Sequence, residues 1–78
     1  MENVKFEVLS EETVQINERN FIEVAKKKAV SENASYEFYS ISRGFLDAKG
    51  QKKFKNSVSI PCEFIEKVIL AMDRIKTL

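Results

Sequence analysis

The 78-residue sequence predicts an α+β domain in which an antiparallel meander of about four strands precedes one C-terminal amphipathic helix. Three patterns indicate this ββββα order. Apolar and polar residues alternate along several segments between residues 4 and 60, as they do in strands with one face on a core. Polar stretches separate these segments, as turns would. After Pro61, apolar residues recur every three or four positions, as on one side of a helix.

The first 20 residues are acidic and are predicted to form a strand or a hairpin. Residues 4–9 and 13–17 both alternate, whereas residues 10–12 have low strand propensity and are expected to turn. The alternative is one long, kinked strand. Residues 1–25 carry two basic residues against six glutamates, a net charge of −4.

Residues 21–30 fit either a strand or a helix. Asn20 and Glu23 would form the capping box of a helix, but the apolar stripe of that helix would be thin. As a strand, the segment places Ile22 and Val24 on one side and Glu23, Ala25 and Lys27 on the other. We favour a strand, so that residues 21–60 form a basic β-meander.

Residues 36–46 and 52–60 are predicted to be two strands joined by a tight turn. Asp47 and Gly50 suit the first and last positions of a type I turn. Arg43 and Gly44 are expected to mark a β-bulge. Pro61 lacks a backbone donor and has a fixed φ, so it ends the last strand and starts the helix of residues 62–77.

This hairpin is predicted to have one apolar and one polar face. The apolar, core-facing set is Tyr39, Ile41, Phe54, Val58 and Ile60. The opposite set is Tyr36, Phe38, Ser40, Ser42, Lys53, Lys55, Ser57 and Ser59. Rings can stack on nucleobases, hydroxyls can position phosphates, and lysines add a salt-dependent attraction. The polar face is therefore our candidate binding surface.

Basic residues are concentrated in the same region, because residues 26–56 carry eight basic against three acidic residues, a net charge of +5. A local field of this sign attracts a polyanion even when the whole protein has a net charge of only +1. The predicted nucleic-acid-binding residues are Lys26, Lys27, Lys28, Tyr36, Phe38, Arg43, Lys52, Lys53 and Lys55. The alternative is a solubilising face whose lysines protect edge strands from aggregation.

The C-terminal helix has an apolar arc of about 160°, wider than the roughly 100° stripe of an ordinary surface helix. Part of that arc could pack on the sheet, and the rest suggests a second copy of the chain. A chain of this length also buries a modest core by itself. We therefore expect a homodimer. Its predicted interface residues are Phe64, Ile65, Val68, Ile69 and Met72.

The residue inventory argues against an enzyme or a metal site. The chain has no histidine and only Cys62 as a cysteine, so it lacks an imidazole base, a zinc-ligand set and a disulfide. We expect no catalytic residue, metal or cofactor, and interpret Cys62 as a core or interface residue. With no apolar run of about 20 residues we expect no membrane partner. The lone cysteine fits an intracellular location, in cytoplasm, nucleoid or nucleus.

Residues 36–75 resemble the superfamily of positive cofactor four, whirly and Pur-alpha proteins. The resemblance rests on residues 42–45 (Ser-Arg-Gly-Phe), the 47–50 turn, residues 52–55 (Lys-Lys-Phe-Lys) and residues 57–61 (Ser-Val-Ser-Ile-Pro) before a helix. It implies a curved four-stranded sheet, a dimerising helix, and single-strand binding with little sequence preference. It also implies backbone contacts by Arg43, Lys53 and Lys55. The acidic first 20 residues have no counterpart, and Phe64 stands near the place of a tryptophan common in coactivator-type members.

The leading hypothesis is a single-stranded DNA- or RNA-binding accessory protein of transcription, replication or repair, which would also meet proteins of those processes. One alternative is a non-catalytic protein-interaction module that uses the wide apolar face of the helix. Another is a duplex-binding chromatin or transcription-factor domain, which a helix at residues 20–32 would favour.

Overall fold

The computed structural model describes residues 4–77 and shows four antiparallel strands followed by a helix, which confirms the predicted ββββα architecture. The strands are β1 (Lys5–Gln15), β2 (Asn20–Val30), β3 (Ser35–Leu46) and β4 (Lys52–Pro61). A 3₁₀ turn (Cys62–Phe64) leads into α1 (Ile65–Lys76). Each strand pairs with the next in sequence, so β1 and β4 are the edges. Residues 1–3 and 78 of the predicted domain lie outside the described part.

β1 is one long strand, so the turn predicted at residues 10–12 is wrong and the kinked-strand alternative is confirmed. Residues 10–12 pair with residues 24–26 of β2. The register shifts between Val8 and Ser10, which leaves Leu9 as an extra, bulged residue. Because all of β1 is exposed, its glutamates remain solvated, and pairing with β2 overrides their low strand propensity.

β2 covers the stretch that fitted both a strand and a helix, and the strand prediction is confirmed. Residues 21–30 pair with β1 on one side and β3 on the other. A central strand makes ladder hydrogen bonds on both sides, and this outweighs the helix propensity of its alanines and lysines. Asn17 Oδ1 accepts hydrogen bonds from the backbone N–H groups of Arg19 and Asn20 at 3.0 and 2.9 Å, which closes the loop before β2.

The buried residues lie on one face of the sheet, here called the inner face. Phe21, Ala25 and Ala29 of β2 are 1%, 3% and 2% exposed. Ser40 and Ser42, their neighbours on β3, are 2% and 6% exposed. Small side chains therefore form most of the core of this sheet.

The predicted core set needs correction, because four of its five members lie on the opposite, outer face. These four are Tyr39, Ile41, Val58 and Ile60. Val58 is 60% exposed. The fifth member, Phe54, lies on the inner face, where its ring meets that of Phe21 edge to face with centroids 5.5 Å apart. The alternation of β3 was predicted correctly, but the alternation of β4 and the face that becomes covered were not.

Curvature explains which face is covered. Lys52 Nζ of β4 lies 3.3 Å from Thr13 Oγ1 of β1 and 3.0 Å from Glu23 Oε2 of β2. In a flat four-stranded sheet the two edge strands would be about 14 Å apart, which is farther than a lysine side chain reaches. The sheet therefore curls around its inner face. The alanines and serines at the centre leave room for this curvature and are buried by it, whereas the larger outer-face side chains stay half-buried or exposed.

The turn between β3 and β4 agrees with the prediction. The backbone N–H of Gly50 donates to the carbonyl oxygen of Asp47 at 2.9 Å. Gly50 has a φ of +80°, a conformation that glycine adopts without steric cost. Asp47 Oδ1 accepts hydrogen bonds from the backbone N–H groups of Lys49 and Gln51 at 2.8 and 2.9 Å. The side chain of Asp47 thus organises the whole turn.

The expected bulge is present, but its extra residue belongs to β4. Arg43 pairs with Asn56 and Gly44 pairs with Phe54, so Lys55 lies between two paired residues without a partner of its own. An extra residue in one strand reverses the alternation on that strand relative to its neighbour. This reversal decides where the lysines of β4 point.

The helical end of the chain is largely exposed. The 3₁₀ turn replaces the first turn of the helix that was predicted at residues 62–77. This turn packs on β3. No residue of α1 is buried, so its own sheet does not bury the apolar stripe as expected. Between residues 4 and 77, no helix has the length and apolar character that a membrane crossing requires.

The chain is more extended than a compact monomer. Its Cα radius of gyration is 15.0 Å, against about 11.5 Å expected for this length. Its accessible surface is 6501 Å², against about 4,850 Å² for a compact protein of 9.0 kDa. The difference of about 1,650 Å² comes from an open sheet and a helix without a partner.

Candidate nucleic-acid interface

The predicted nucleic-acid-binding residues are divided between the two faces of the sheet. The inner-face members are Lys27, Tyr36, Phe38 and Lys52. The outer-face members are Lys26, Lys28, Arg43, Lys53 and Lys55. The expectation that Lys53 and Lys55 share a face with Tyr36 and Phe38 is therefore wrong.

The bulge at Lys55 causes this separation. Simple alternation would place Lys53 and Lys55 on the side of Ser57. The extra residue instead leaves Phe54 on the inner face and moves both lysines to the outer face. Lys55 Nζ accordingly lies 5.4 Å from the ring centroid of Phe45, an outer-face residue of β3.

Two of the four predicted inner-face serines, Ser40 and Ser42, are not available to phosphates, whereas Ser57 and Ser59 are exposed. The hydroxyls of Ser40 and Ser42 lie 3.3 Å apart, and they lie 3.4 and 3.2 Å from the hydroxyl of Ser57. Ser40 and Ser42 are buried, so these contacts satisfy groups that would otherwise lack partners inside the core. For Ser40 and Ser42, the predicted role in phosphate positioning is thus replaced by a structural one.

Two of the predicted lysines are paired with carboxylates. Lys52 Nζ lies 3.0 Å from Glu23, and 5.3 Å from the ring centroid of Phe21. Lys26 Nζ lies 3.3 Å from Glu37. The hydrogen bond that Lys26 donates to Glu37, together with the nearby Tyr39 hydroxyl, raises the pKa of the Lys26 ammonium above its usual value. Each of these lysines is locally neutralised, so neither contributes a full charge to a phosphate.

A cluster of unpaired cations lies at the hairpin end of the outer face. We call Arg43, Lys53 and Lys55, grouped around the ring of Phe45, the basic cluster. Phe45 pairs directly with Lys53, and Arg43 is two residues before it on β3. All three cations are exposed, and none forms an ion pair with another residue in the 4–77 range. This is the largest concentration of unneutralised charge among the predicted residues.

The remaining lysines stand apart from this cluster. Lys28 lies on the outer face opposite Glu7 of β1, so a carboxylate is its cross-strand neighbour. Lys27 lies on the inner face between Val8 and Phe38. Both are half-buried. They therefore neither join the basic cluster nor form a second one.

The predicted stacking rings form an apolar groove on the inner face. Tyr36 is 65% exposed, and its ring lies 5.8 Å from that of Phe38. Phe6 of β1 contacts Phe38 edge to face with centroids 6.2 Å apart, so the N-terminal strand covers part of Phe38. The groove has a volume of about 810 Å³, and its lining includes Glu37 and Glu63 but no basic residue. Lys27 lies beside Phe38 on the same face, but it is half-buried and does not line the groove.

Phe45 is the aromatic residue that sequence reasoning missed. It was visible in the Ser-Arg-Gly-Phe segment, but its position beside two lysines depends on the β4 bulge, which the sequence marks only through Gly44. The ring is half-buried and lies beneath the Lys55 ammonium. A ring and three cations on one exposed surface form a better site for nucleic acid than the predicted inner face.

The predicted dimer residues form an exposed stripe on the helical segment. Phe64, Ile69 and Met72 are 47%, 45% and 58% exposed, and Ile65 and Val68 are half-buried. No residue of this stripe is buried by the rest of residues 4–77. An amphipathic helix with a solvent-facing apolar side is unusual for a monomer of this size.

Comparisons with known proteins add no assignment to this geometry: no family model, no curated protein and no solved structure matches the chain.

Proposed function

We propose that this protein binds single-stranded nucleic acid through the basic cluster on the outer face of its sheet. One observation supports this above the others. Three exposed cations that have no carboxylate partner among residues 4–77 share an open strand surface with Phe45, and one of them, Lys55, lies over its ring. This combination provides both electrostatic attraction for a backbone and a stacking surface for a base.

The shape of the outer face favours a single strand over a duplex. The sheet curls around its inner face, so the outer face is convex. A duplex is stiff over about 150 base pairs and meets a small convex surface along a short line. A flexible strand can follow the surface and expose an unpaired base to Phe45. Base stacking on such a ring contributes about 1–3 kcal/mol with little dependence on sequence.

The proposed phosphate contacts are Arg43, Lys53 and Lys55. Arg43 can hold two phosphate oxygens with its planar guanidinium, whereas the lysines act as mobile point charges. Lys55 covers Phe45 in the absence of nucleic acid. We expect its ammonium to move from the ring to a phosphate when a base stacks. DNA and RNA both satisfy this arrangement.

The second proposed partner is another copy of the chain. The exposed α1 stripe and the surface excess of about 1,650 Å² over a compact monomer support self-association. Obligate dimers bury about 1,000–2,500 Å² per partner, a range that includes this excess. A dimer would carry two basic clusters, which increases the apparent affinity for a long strand.

Fluorescence anisotropy with an unstructured labelled oligonucleotide tests the proposal over a salt series. We expect a log–log slope of about −0.7 per phosphate contacted and weaker binding to a matched duplex. Replacing Arg43, Lys53 and Lys55 by alanine should reduce the magnitude of that slope by about 2. The control replaces Lys5, Lys67 and Lys76, which changes net charge equally away from the cluster. Equal binding to strand and duplex, or equal effects of both triple variants, would contradict the proposal.

A protein-interaction module remains the second candidate, because the exposed α1 stripe would serve a foreign partner as well as another copy. It predicts no salt-dependent oligonucleotide binding. The duplex-binding alternative depended on a helix at residues 20–32, and that segment contains β2. Duplex preference in the same titration would support it nonetheless.

A further inference from the structure

The three rings of the inner-face groove differ from most other rings of the chain in having no cation over them. Four rings elsewhere each have a lysine ammonium 5.3 to 5.7 Å from the ring centroid. These pairs are Lys26 with Tyr39, Lys52 with Phe21, Lys55 with Phe45, and Lys67 with Phe64. Within residues 4–77, no lysine or arginine lies over Phe6, Tyr36 or Phe38.

The three groove rings are set at different angles around one open space. Phe6 and Phe38 are nearly perpendicular, with an angle of 89° between the ring planes, and Tyr36 is tilted by 41° from Phe38. Phe6 is 64% exposed and Tyr36 is 65% exposed. Rings in this arrangement cannot cover one another's faces completely. Their exposed π faces carry partial negative charge, which attracts a cation.

The charge of the groove has the same sign as its ring faces. Glu63 lines the groove and is exposed, and it forms no ion pair with another residue of the 4–77 range. Glu37 also lines the groove, but its carboxylate is already paired with Lys26. One unneutralised carboxylate beside three aromatic rings favours a cationic ligand and disfavours a phosphate.

The groove is much larger than one ammonium or guanidinium group. Its volume of about 810 Å³ lies within the range of pockets that hold extended organic ligands. Ser59 and Pro61, at the end of β4, form part of its lining. β4 is an edge strand, and an extended peptide can align with such an edge and place alternate side chains into pockets beside it. The ligand that fits is therefore a peptide segment with both apolar and cationic side chains.

We propose that the inner-face groove binds an extended segment of a partner protein and holds one of its lysine or arginine side chains between the rings of Phe6, Tyr36 and Phe38, against Glu63. This site does not depend on nucleic-acid binding. The groove lies on the inner face at the helical end of the strands, whereas the basic cluster lies on the outer face at their hairpin end. Both sites can be occupied at the same time.

Nuclear magnetic resonance titration with capped peptides tests the proposal. The probe is a short peptide with a central arginine flanked by valines, and matched peptides carry lysine, citrulline or norleucine in its place. Citrulline and norleucine keep the size of the side chain without its charge. We expect the backbone amide signals of Tyr36 and Phe38 to shift with the two cationic peptides, and about tenfold weaker binding of the neutral ones. Equal binding of charged and neutral peptides, or no binding of any, would overturn the proposal.

Two pairs of variants locate the cation. Tyr36→Leu should weaken binding of the arginine peptide about fivefold, because leucine is apolar but has no π face. Phe54→Leu is its control, since Phe54 is exposed, at 53%, and lies outside the groove. Glu63→Gln should also weaken binding, whereas Glu66→Gln, which changes an exposed carboxylate outside the groove, should not. Equal effects within either pair would overturn this placement of the cation.

Two further results would identify a different occupant of the groove. If Tyr36→Leu weakens oligonucleotide binding as much as peptide binding, nucleobases use the groove. If the arginine peptide dissociates a dimer into monomers in sedimentation, a second copy of the chain covers the groove. Either result would overturn the assignment to a partner protein. Peptide binding without salt-dependent oligonucleotide binding would instead contradict the proposed function and leave the peptide site intact.

Discussion

At the scale of single residues, Gly44 shows how the close approach of a neighbouring strand's backbone limits the side chain that a position can carry. A Cβ atom added at Gly44 would collide with the carbonyl oxygen of Lys53 and lie 2.8 Å from Phe21 Cζ. The strands approach closely here because the bulge at Lys55 tightens the local twist. A residue without a side chain therefore permits both the bulge and the inner-face cluster of rings.

Gly44→Ala should lower the free energy of unfolding by about 3 kcal/mol, because a backbone carbonyl and a packed ring must both move. Gly50→Ala provides the comparison: nothing lies within 4 Å of its added Cβ, and only the positive φ opposes it. That strain costs about 1 kcal/mol. Urea unfolding of both variants measures the difference. Equal losses would mean that Gly44 is not closely packed.

Lys52 and Lys53 are sequence neighbours with different environments. Lys52 joins β4 to Glu23 and Thr13 across the inner face, whereas Lys53 belongs to the basic cluster. Lys52→Met should reduce stability by at most about 1 kcal/mol, since the ion pair is partly exposed. It should leave the salt slope of oligonucleotide binding unchanged.

Lys53→Met should show the reverse pattern, with unchanged urea unfolding and a salt slope smaller by about 0.7. Lys52→Arg provides a further control, because it keeps the charge that faces Glu23. If Lys52→Met alters the slope as much as Lys53→Met does, Lys52 contacts phosphate directly and our assignment of it is wrong.

At the scale of elements, alternation and turn chemistry predicted the four strands and their order. Sequence also favoured a strand for β2, although the choice became clear only from its pairing with β1 and β3. The extent of β1 and the covered face were not predictable in this way. Both depend on bulges and on curvature, which arise from contacts between strands rather than from the pattern within one strand.

The turn between β3 and β4 is an element that sequence alone described correctly. Asp47→Ala should destabilise the chain by about 1–2 kcal/mol, because the backbone N–H groups of Lys49 and Gln51 lose their acceptor. Asp47→Asn should retain most of the stability, since its amide oxygen can accept the same bonds. Thermal unfolding compares the variants. Similar losses in both would show that charge, rather than acceptor geometry, matters at this position.

At the scale of the whole molecule, the candidate site was predicted only in part. The charge split along the chain located the basic region, and three predicted cations are in the basic cluster. The same reasoning placed the two lysines beside Tyr36 and Phe38, because it could not foresee the extra residue in β4. That residue moves both lysines to the opposite face of the sheet. The extended shape was also beyond prediction, since it depends on how α1 leaves the sheet.

Self-association should make stability depend on concentration. If the dimer is the folded unit, the Tm should rise by about 5 °C for each tenfold increase in protein concentration. Ile69→Asp should remove this dependence by placing a charge in the α1 stripe. Leu70→Asp is the matched control, because Leu70 is similarly exposed, at 52%, but lies on the polar side of the helix. A Tm independent of concentration in the wild type would indicate a stable monomer.

The meander topology has a further consequence for how the protein folds. Every strand pairs with its neighbour in sequence, so the sheet can assemble through consecutive hairpins with short loop closures. α1 has no such local partner. We therefore expect two kinetic phases, with a fast unimolecular phase in which the sheet forms and a slower bimolecular phase in which the helix becomes protected from hydrogen exchange. A newly made chain would thus acquire its basic cluster before it meets a second copy.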